Sequence, residues 1–181
     1  MEKTLVVLKP QVLLRNIENE VMDYLTVVGE VIAREVITVT NDQLDRHFSS
    51  SREWIEMLGR KAKAICEYFG IDPADIHSTL DPYEIGKTVR EWNRQVYLKG
   101  PVVVLVMEGE DVISRVRKIT GSTFPFQADP GTIRRDFCGH LTAKDYTRSA
   151  IDNLIHAADS IDSFNNEVPV WFPAFLQQEQ T

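Results

Sequence analysis

An uninterrupted apolar run in the middle of the chain, residues 102–107, constrains the fold more than any other feature of the sequence. It follows Gly100 and Pro101, which stop the helical pattern before it. A continuous apolar run of this kind predicts a buried strand, and we expect it to be the strongest strand of the protein. Two shorter apolar runs predict further strands, at residues 4–8 and 154–156. Residues 31–39 are rich in β-branched side chains and predict another strand.

Apolar residues at helical spacing predict helices between these strands. Residues 17–28 carry one such apolar face. Thr40, with Gln43 three residues later, has the pattern of a capping box and predicts a helix that starts there. A further helix is predicted over residues 111–121, where a glycine ends the periodic pattern.

The last predicted helix begins at Asp159 or Ser160, both of which are favoured N-cap residues. Pro169 lacks the backbone N–H that a helix interior needs, so we expect this helix to end before it. Residues 49–99 also carry helical apolar faces, and we interpret them as a helical insertion rather than a second domain. The order of elements predicts one α+β domain of 181 residues with a sandwich of the split βαβ type.

Charge and cysteine content exclude several classes of protein. The net charge is −7 and the pI is about 5.1, so the average field repels nucleic acids and anionic membranes. Cys66 and Cys138 form no C-x-x-C pattern, which argues against a disulfide framework or a structural zinc site. No apolar segment is long enough to span a membrane, and the N-terminal one is too short for a signal peptide. We expect a cytoplasmic protein without a membrane or a specific nucleic acid as partner.

His156 is the strongest candidate for chemistry. It ends an apolar run and is followed directly by residues that start a helix, while upstream Pro130 and Gly131 form a tight turn that presents Arg134. Neutral imidazole is nucleophilic near neutral pH and arginine binds phosphate oxygens, so this set suits phosphoryl transfer through a phosphohistidine. Taken alone, a histidine after an apolar run is more often a core residue.

Several short segments together resemble the nucleoside diphosphate kinase family. They occur in the order and with the spacing of that family, and the resemblance extends over nearly the whole chain. The segments are TLVVLKP at 4–10, GPVV at 100–103, EG at 108–109, GST at 121–123, PGTIR at 130–134, NLIHAADS at 153–160 and WF at 171–172. The resemblance implies a ferredoxin-like βαββαβ sandwich.

The resemblance implies a ping-pong reaction. The histidine that matches His156 accepts the γ-phosphate of a nucleoside triphosphate and passes it to a nucleoside diphosphate. Glu167, eleven residues later, matches a carboxylate that hydrogen-bonds the second ring nitrogen. Such a contact selects the tautomer and stabilises the cation that forms on transfer. On the sequence alone, Glu167 could also be a solvated residue of its helix.

The resemblance also implies five residues that bind the nucleotide, and these are Lys9, Arg117, Thr123, Arg134 and Asn153. Arg117, Thr123 and Arg134 match the phosphate ligands. Lys9 matches a lysine that serves phosphate and sugar, and Asn153 matches a ligand of the ribose hydroxyls. A plain basic helix face is the alternative for Arg117. In a regular strand Asn153 would face away from His156, so its role depends on the resemblance alone.

The residues that clamp the base stay open, because the chain has additional residues there. The helical insertion at about residues 49–99 covers the hairpin that holds the base in the family, and a smaller insertion lies at about residues 139–151. Trp54 and Trp92 are the candidates for stacking on the base. Both also lie on apolar helix stripes, where core packing is the better prediction for each.

Several positions depart from the family pattern. Ala157 and Ala158 stand where a glycine and a serine are usual, so a hydroxyl is lost and the activity could be lower. The other departures are Gln11 and Val12 for Asp-Gly, Phe48 for a tyrosine, and Arg135 for a glycine.

The resemblance implies Mg²⁺ as the cofactor, held mainly by nucleotide phosphates and water, so no metal site built from side chains is expected. It implies ATP and other nucleoside di- and triphosphates as substrates. It also implies a homo-oligomer, either a tetramer or a hexamer. The base preference cannot be predicted from the sequence.

Two other functions stay open. One is a nucleotide-binding or regulatory protein of the same fold with weak catalysis, which Ala157 and Ala158 favour and the retained site residues oppose. The other is a generic ferredoxin-like regulatory or RNA-binding module, although the acidic charge opposes RNA binding.

Three remaining motifs predict no chemistry. Residues 86–88, GKT, lack the first glycine of a phosphate-binding loop. Cys138 and His140 are too sparse for a metal site. His47 and His77 have no partners in the sequence that suggest a reaction.

Overall fold

The structure is a computed structural model that describes residues 1–178. The strands in this part of the chain are β1 (Glu2–Leu8), β2 (Glu30–Ile37), β3 (Val102–Gly109) and β4 (Ile155–Ala157). The helices before β3 are α1 (Pro10–Leu14), α2 (Glu18–Thr26), α3 (Asn41–His47), α4 (Arg52–Tyr68), α5 (Pro73–His77) and α6 (Pro82–Tyr97). Those after β3 are α7 (Val112–Thr120), α8 (Ile133–Cys138), α9 (Ala143–Thr147), α10 (Ile161–Trp171) and α11 (Pro173–Gln178), with a 3₁₀ turn at Pro125–Gln127.

The strands form one sheet in the order β2-β3-β1-β4, and each neighbouring pair is antiparallel. The two middle strands are therefore β1 and β3, which carry the strongest apolar runs. This order, with helices between the strands, is the predicted ferredoxin-like α+β sandwich.

Both faces of the sheet are covered, which explains why β1 and β3 are apolar without alternation. Leu5 and Val104 pack on one face in a core that includes residues of α3, α10 and α11. Val6 and Leu105 pack on the other face against α2 and α7. A strand that is buried on both faces has no position left for a solvated side chain. The edge strand β2 alternates in exposure, because one of its faces meets solvent.

Two predicted helix starts are confirmed at atomic detail. The Thr40 hydroxyl accepts from the Gln43 N–H, and the Gln43 side chain accepts from the Thr40 N–H, which completes a capping box at α3. The Ser160 hydroxyl accepts from the Ser163 N–H at the start of α10. Each cap satisfies backbone donors that have no partner inside the helix.

The prediction that Pro169 ends the last helix is wrong, because α10 continues through it to Trp171. An interior proline removes one backbone hydrogen bond and costs about 3 kcal/mol or more. Val168, Val170 and Trp171 are buried against the sheet, and the Phe172 N–H still donates to the Val168 carbonyl. Burial of these large side chains outweighs the local cost, so tertiary packing overrides the propensity of proline.

The region of residues 49–99 forms α4, α5 and α6, and two glycines bring α4 and α6 together. A Cβ on Gly59 would collide with the carbonyl oxygen of Pro82, and one on Gly86 would collide with that of Ile55. The two backbones therefore touch where no side chain separates them. Among residues 1–178, no helix has the length and apolar character needed to cross a membrane.

Candidate active site

His156 is the middle residue of β4, where it pairs with Val7 of β1. Its neighbours Ile155 and Ala157 are buried on the sheet face that α2 and α7 cover. Because side chains alternate along a strand, the ring of His156 projects to the opposite face, toward α3 and α10. The strand begins one residue later than predicted, since Leu154 has a left-handed backbone with φ of 62°.

Glu167 on α10 meets this ring. Its Oε2 lies 2.6 Å from Nε2 of His156, and both side chains are largely buried. A carboxylate only accepts, so Nε2 carries the proton and Nδ1 keeps its lone pair in the neutral ring. The arrangement leaves Nδ1 as the nucleophilic nitrogen and places a negative charge where a cationic ring would need it.

His47 also belongs to this site, so the interpretation that it has no chemically meaningful partner is wrong. Its ring centroid lies 4.8 Å from that of His156, at an interplanar angle of 84°. The Trp171 indole donates a 3.2 Å hydrogen bond to Nδ1 of His47. Burial, aided by the charges of His156 and Lys9, lowers the pKa of His47 well below its ordinary value. His47 is therefore a neutral imidazole beside the candidate nucleophile.

Lys9, Asn153 and Thr123 form a connected row. Nζ of Lys9 donates a 2.6 Å hydrogen bond to Oδ1 of Asn153, whose Nδ2 donates a 3.0 Å bond to the Thr123 carbonyl. Asn153 precedes the left-handed Leu154, so the strand periodicity that would turn it away does not apply. Burial, followed by the charge of Arg134, lowers the pKa of Lys9 to about 8. An anionic ligand would stabilise the charged form of this lysine.

Arg134, in the first turn of α8, is buried and bonded to two other segments of the chain. Its guanidinium donates to the carbonyl oxygens of Asn153, Gly121 and Ile155, at 3.3, 3.0 and 2.7 Å. Burial, followed by the charge of Arg117, lowers its pKa to about 10. These bonds hold the segments before β4 and after α7 in register, so Arg134 stabilises the site even without a ligand.

Arg117 on α7 is the more accessible of the two arginines. It is exposed, and its Nη1 makes one long contact of 3.5 Å with the carbonyl of Ala157. Its charge lowers the pKa of Arg134, so the two guanidinium groups lie near each other. An arginine with so weak an internal contact is free to bind an anion bidentately.

A cleft opens next to this cationic group. Its inner end is lined by Lys9, Thr123 and Asn153. Its outer end lies between α4 and α6 on one side and residues 146–151 on the other. The residues of the outer walls are Leu58, Lys61, Ala62, Ile65, Val89, Trp92, Asn93, Phe124, Tyr146, Thr147, Ser149, Ala150 and Ile151.

The structure separates the two tryptophans that the sequence left equivalent. Trp92 lines the cleft, whereas Trp54 packs against the core and lies 6.1 Å from Phe48 between ring centroids. The outer face of Trp92 contacts His77, at 5.6 Å between centroids. Trp92 is thus placed to meet a planar ligand, and Trp54 is a packing residue.

An aromatic cluster that the sequence analysis missed joins the two walls of the cleft. Phe69 at the end of α4 stacks on Tyr146 of α9, with centroids 5.7 Å apart and planes at 15°. Phe126 of the 3₁₀ turn contacts both rings and also Tyr68. These contacts fix residues 139–151 against α4, so that segment forms a wall of the cleft.

His47, His156 and Glu167 also have a donor set that could hold a metal ion, since their ligand atoms lie within 4.8 Å of one another. Two imidazoles and a carboxylate suit zinc rather than Mg²⁺, which takes oxygen ligands in octahedral geometry. Glu167 is also engaged by His156, and Nδ1 of His47 is engaged by Trp171. Mg²⁺ at this site would therefore need oxygen ligands from a bound molecule.

Known proteins with similar sequences are consistent with this chemistry. The family model described as nucleoside diphosphate kinase matches residues 86–176. A nucleoside diphosphate kinase from Pyrobaculum aerophilum is 32% identical over 176 residues, which cover 95% of each chain. One from Clostridium perfringens is 27% identical over 180 residues, which cover 99% of this chain and 96% of the relative.

Solved structures agree in fold. The crystal structure of an NDP kinase from Pyrobaculum aerophilum superimposes with a TM-score of 0.84, at 32% identity, and covers 94% of this chain and 95% of its own. A transition state mimic of the nucleoside diphosphate kinase from Borrelia burgdorferi, with vanadate and ADP bound, superimposes with a TM-score of 0.69 at 25% identity. That match covers 94% of this chain and 86% of the other.

Proposed function

This chain belongs to the nucleoside diphosphate kinase family, and we propose that His156 is the residue that carries the phosphoryl group in its reaction. The enzyme transfers the γ-phosphate of a nucleoside triphosphate to a nucleoside diphosphate by a ping-pong mechanism. The observation that carries the assignment of His156 is its 2.6 Å contact with Glu167, beside two arginines and a buried lysine.

In the first half-reaction, the lone pair of Nδ1 of His156 forms a bond to the γ-phosphorus. The bond from that phosphorus to the bridging oxygen breaks, and the nucleoside diphosphate leaves. In the second half-reaction, a terminal oxygen of the acceptor diphosphate attacks the same phosphorus and the N–P bond breaks. Because the phosphorylated ring is cationic, the Glu167 carboxylate at Nε2 lowers the barrier in both directions.

The cationic side chains have different roles in this proposal. Arg117 is exposed and weakly held, so we infer that it binds the transferring phosphate. Arg134 already donates to three carbonyls, so its main effect is to position the loop around Thr123 and supply charge. Lys9 would bind phosphate and sugar oxygens, and Asn153 would bind a ribose hydroxyl.

We infer that the base enters the outer end of the cleft and stacks on Trp92. Stacking recognises any base by its π-face and makes few demands on its edge, so a broad base specificity is expected. The wall that Trp92 belongs to comes from the insertion of residues 49–99, and the facing wall comes from residues 139–151. Both insertions would therefore serve the nucleotide.

The remaining properties follow the family. Mg²⁺ would arrive with the nucleotide, because phosphate oxygens are the ligands it prefers and the imidazoles at the site are not. We infer a homo-oligomer, tetramer or hexamer, and the partly exposed Ile32 and Val36 of the edge strand β2 support a subunit contact there. Cys66 and Cys138 are both free and buried, which suits the cytoplasm.

A two-step labelling experiment tests the proposal. The purified protein is incubated with γ-labelled ATP and Mg²⁺, freed of nucleotide, and then mixed with GDP. We expect an acid-labile, base-stable label on His156 that moves quantitatively to GDP. A protein that takes up no label, although ATP raises its melting temperature, would be a nucleotide-binding protein that lacks the reaction.

A further inference from the structure

The rings of His47 and His156 meet at an angle of 84°, with their centroids 4.8 Å apart. His156 comes from β4 and His47 from the last turn of α3, so two separate elements bring the two imidazoles together. The contact is edge to face, an arrangement in which one ring limits the rotation of the other.

His47 is itself held in place. The indole of Trp171 donates to Nδ1 of His47 over 3.2 Å, and an indole nitrogen can only donate. Nδ1 therefore accepts, and the neutral ring of His47 carries its proton on Nε2. Phe48 and Tyr97 pack on the same ring, with centroids 4.7 and 6.0 Å away. Trp171 is fully buried, so the anchor of this arrangement lies in the core.

The ring of His156 needs such support. Its one hydrogen bond in the described chain, from Nε2 to Glu167, is a pivot about which Nδ1 can swing. Ala157 and Ala158, which follow it, have no polar side-chain group that could orient the ring or the carboxylate. The perpendicular ring of His47 restricts this rotation. The restriction matters because a reacting atom that is misplaced by about 1 Å can lower the rate on the order of a hundredfold.

We propose that His47 is a positioning residue, which, held by Trp171, keeps the ring of His156 in the plane that aims Nδ1 at the phosphate. This inference rests on the function proposed above, because it assumes that Nδ1 of His156 is the nucleophile. His47 does not touch the substrate in this role. It acts through His156 alone.

The electrostatic setting agrees with a positioning role. Burial is the main cause of the lowered pKa of His47, and His156 and Lys9 lower it further. A neutral His47 adds no second positive charge beside the imidazolium that forms on His156. Glu167 then balances one cation instead of two.

The experiment compares His47→Ala with Leu44→Ala. Leu44 lies on the same helix and is fully buried in the same core, so its variant reports the effect of a cavity without loss of the ring contact. Phosphoenzyme formation is followed after rapid mixing with ATP and Mg²⁺, and ADP affinity is measured separately. We expect His47→Ala to slow phosphorylation by about tenfold or more with ADP affinity nearly unchanged. Leu44→Ala should lose thermal stability and keep the rate per folded molecule.

Two further variants keep the proposal testable if His47→Ala does not fold. His47→Phe retains a ring at the contact, so it should recover most of the rate that the alanine variant loses. Trp171→Phe removes the donor to His47 and should slow phosphorylation severalfold, with no additional loss when it is combined with His47→Ala. Equal rates in His47→Ala, Trp171→Phe and wild type would overturn the proposal.

A readout that does not depend on turnover separates this inference from the proposed function. The chain has four histidines, so ¹⁵N NMR can assign the ring of His156. We expect His156 to be protonated on Nε2 in the wild type and in both variants, because Glu167 sets the tautomer. The ring of His156 should gain motion, seen as exchange broadening of its resonances, in His47→Ala but not in Leu44→Ala. An unbroadened ring in His47→Ala would overturn the positioning role, even in an enzyme that forms phospho-His156. A wild type that forms no phospho-His156 would overturn the proposed function as well.

Discussion

The cleft has two ends of opposite construction. At the inner end, Lys9 and Asn153 are buried and hydrogen-bonded to each other, and the buried Arg134 behind them donates to the Asn153 carbonyl. At the outer end, Trp92 lies among mostly apolar side chains, and the side chain of Asn93 beside it makes no hydrogen bond within residues 1–178. The inner end therefore has the buried, hydrogen-bonded side chains of a protein core, whereas the outer end has the loosely held side chains of a protein surface.

The difference matches what each end has to do. Phosphoryl transfer requires charges and a nucleophile that are already in position, because reorganising them during the reaction would raise the barrier. Base binding requires only a flat apolar contact if many bases are to be accepted. The inner end should therefore govern the rate and contribute to phosphate affinity, and the outer end should affect the affinity alone.

The largest expected effect lies at the inner end. His156→Ala removes the nucleophile, so we expect labelled phosphoenzyme and phosphoryl transfer to disappear while the circular dichroism spectrum is kept. His140→Ala is the matched control, because His140 is exposed and is not one of the residues, Glu167 and His47, whose side chains contact the ring of His156. Retained phosphoenzyme in the His156→Ala variant would show that another residue carries the phosphate.

Glu167→Gln tests the charge at Nε2. The amide can keep a hydrogen bond but not the negative charge, so we expect transfer to slow by about tenfold to a hundredfold with nucleotide affinity nearly unchanged. Asp162→Asn removes an exposed carboxylate from the same helix and should have no effect on the rate. A loss of affinity without a loss of rate would place Glu167 at the nucleotide instead.

The two tryptophans test the outer end. Trp92→Ala should raise KM for nucleotides by about tenfold and leave kcat almost unchanged, since stacking contributes about 1–3 kcal/mol for each base. Trp54→Ala should lower the melting temperature and leave KM unchanged, because Trp54 packs on the core. The opposite pattern in steady-state kinetics and thermal denaturation would exchange their roles.

The smallest effect concerns the charge of Lys9, whose pKa is lowered to about 8 by burial and by Arg134. ADP affinity should fall by about threefold to tenfold between pH 7 and pH 9, as the lysine that attracts phosphate becomes neutral. In Lys9→Met, the affinity should be lower and nearly constant over this range. Isothermal titration of both proteins checks the result.

The same pKa gives a stability effect of opposite sign. Between about pH 8 and pH 10.5 the unfolded chain binds a proton at Lys9 that the folded chain has lost, so the cost of burying the charge is relieved as the pH rises. Loss of the Lys9 proton above about pH 8 should therefore weaken ADP binding and, at the same time, stabilise the folded chain. A wild type whose affinity does not change up to pH 9 would contradict a lowered pKa.

Much of the fold was determined by local sequence. The apolar runs predicted buried strands, and β1 and β3 are covered on both faces. The Thr40–Gln43 pattern predicted the start of α3, and the helix begins there. The residues assigned to the nucleotide from the family resemblance stay predictions, although Lys9, Thr123 and Asn153 do lie together at the cleft.

Tertiary structure decided the rest. Pro169 stays inside α10 because Val170 and Trp171, which follow it, are buried. Helix propensities do not predict this burial. His47 and Trp171 are 124 residues apart and no local pattern links them, yet they share a hydrogen bond beside His156. Periodicity and capping describe neighbours along the chain. Contacts between distant elements depend on how whole helices pack on the sheet, so only the folded chain brings His47 to the site.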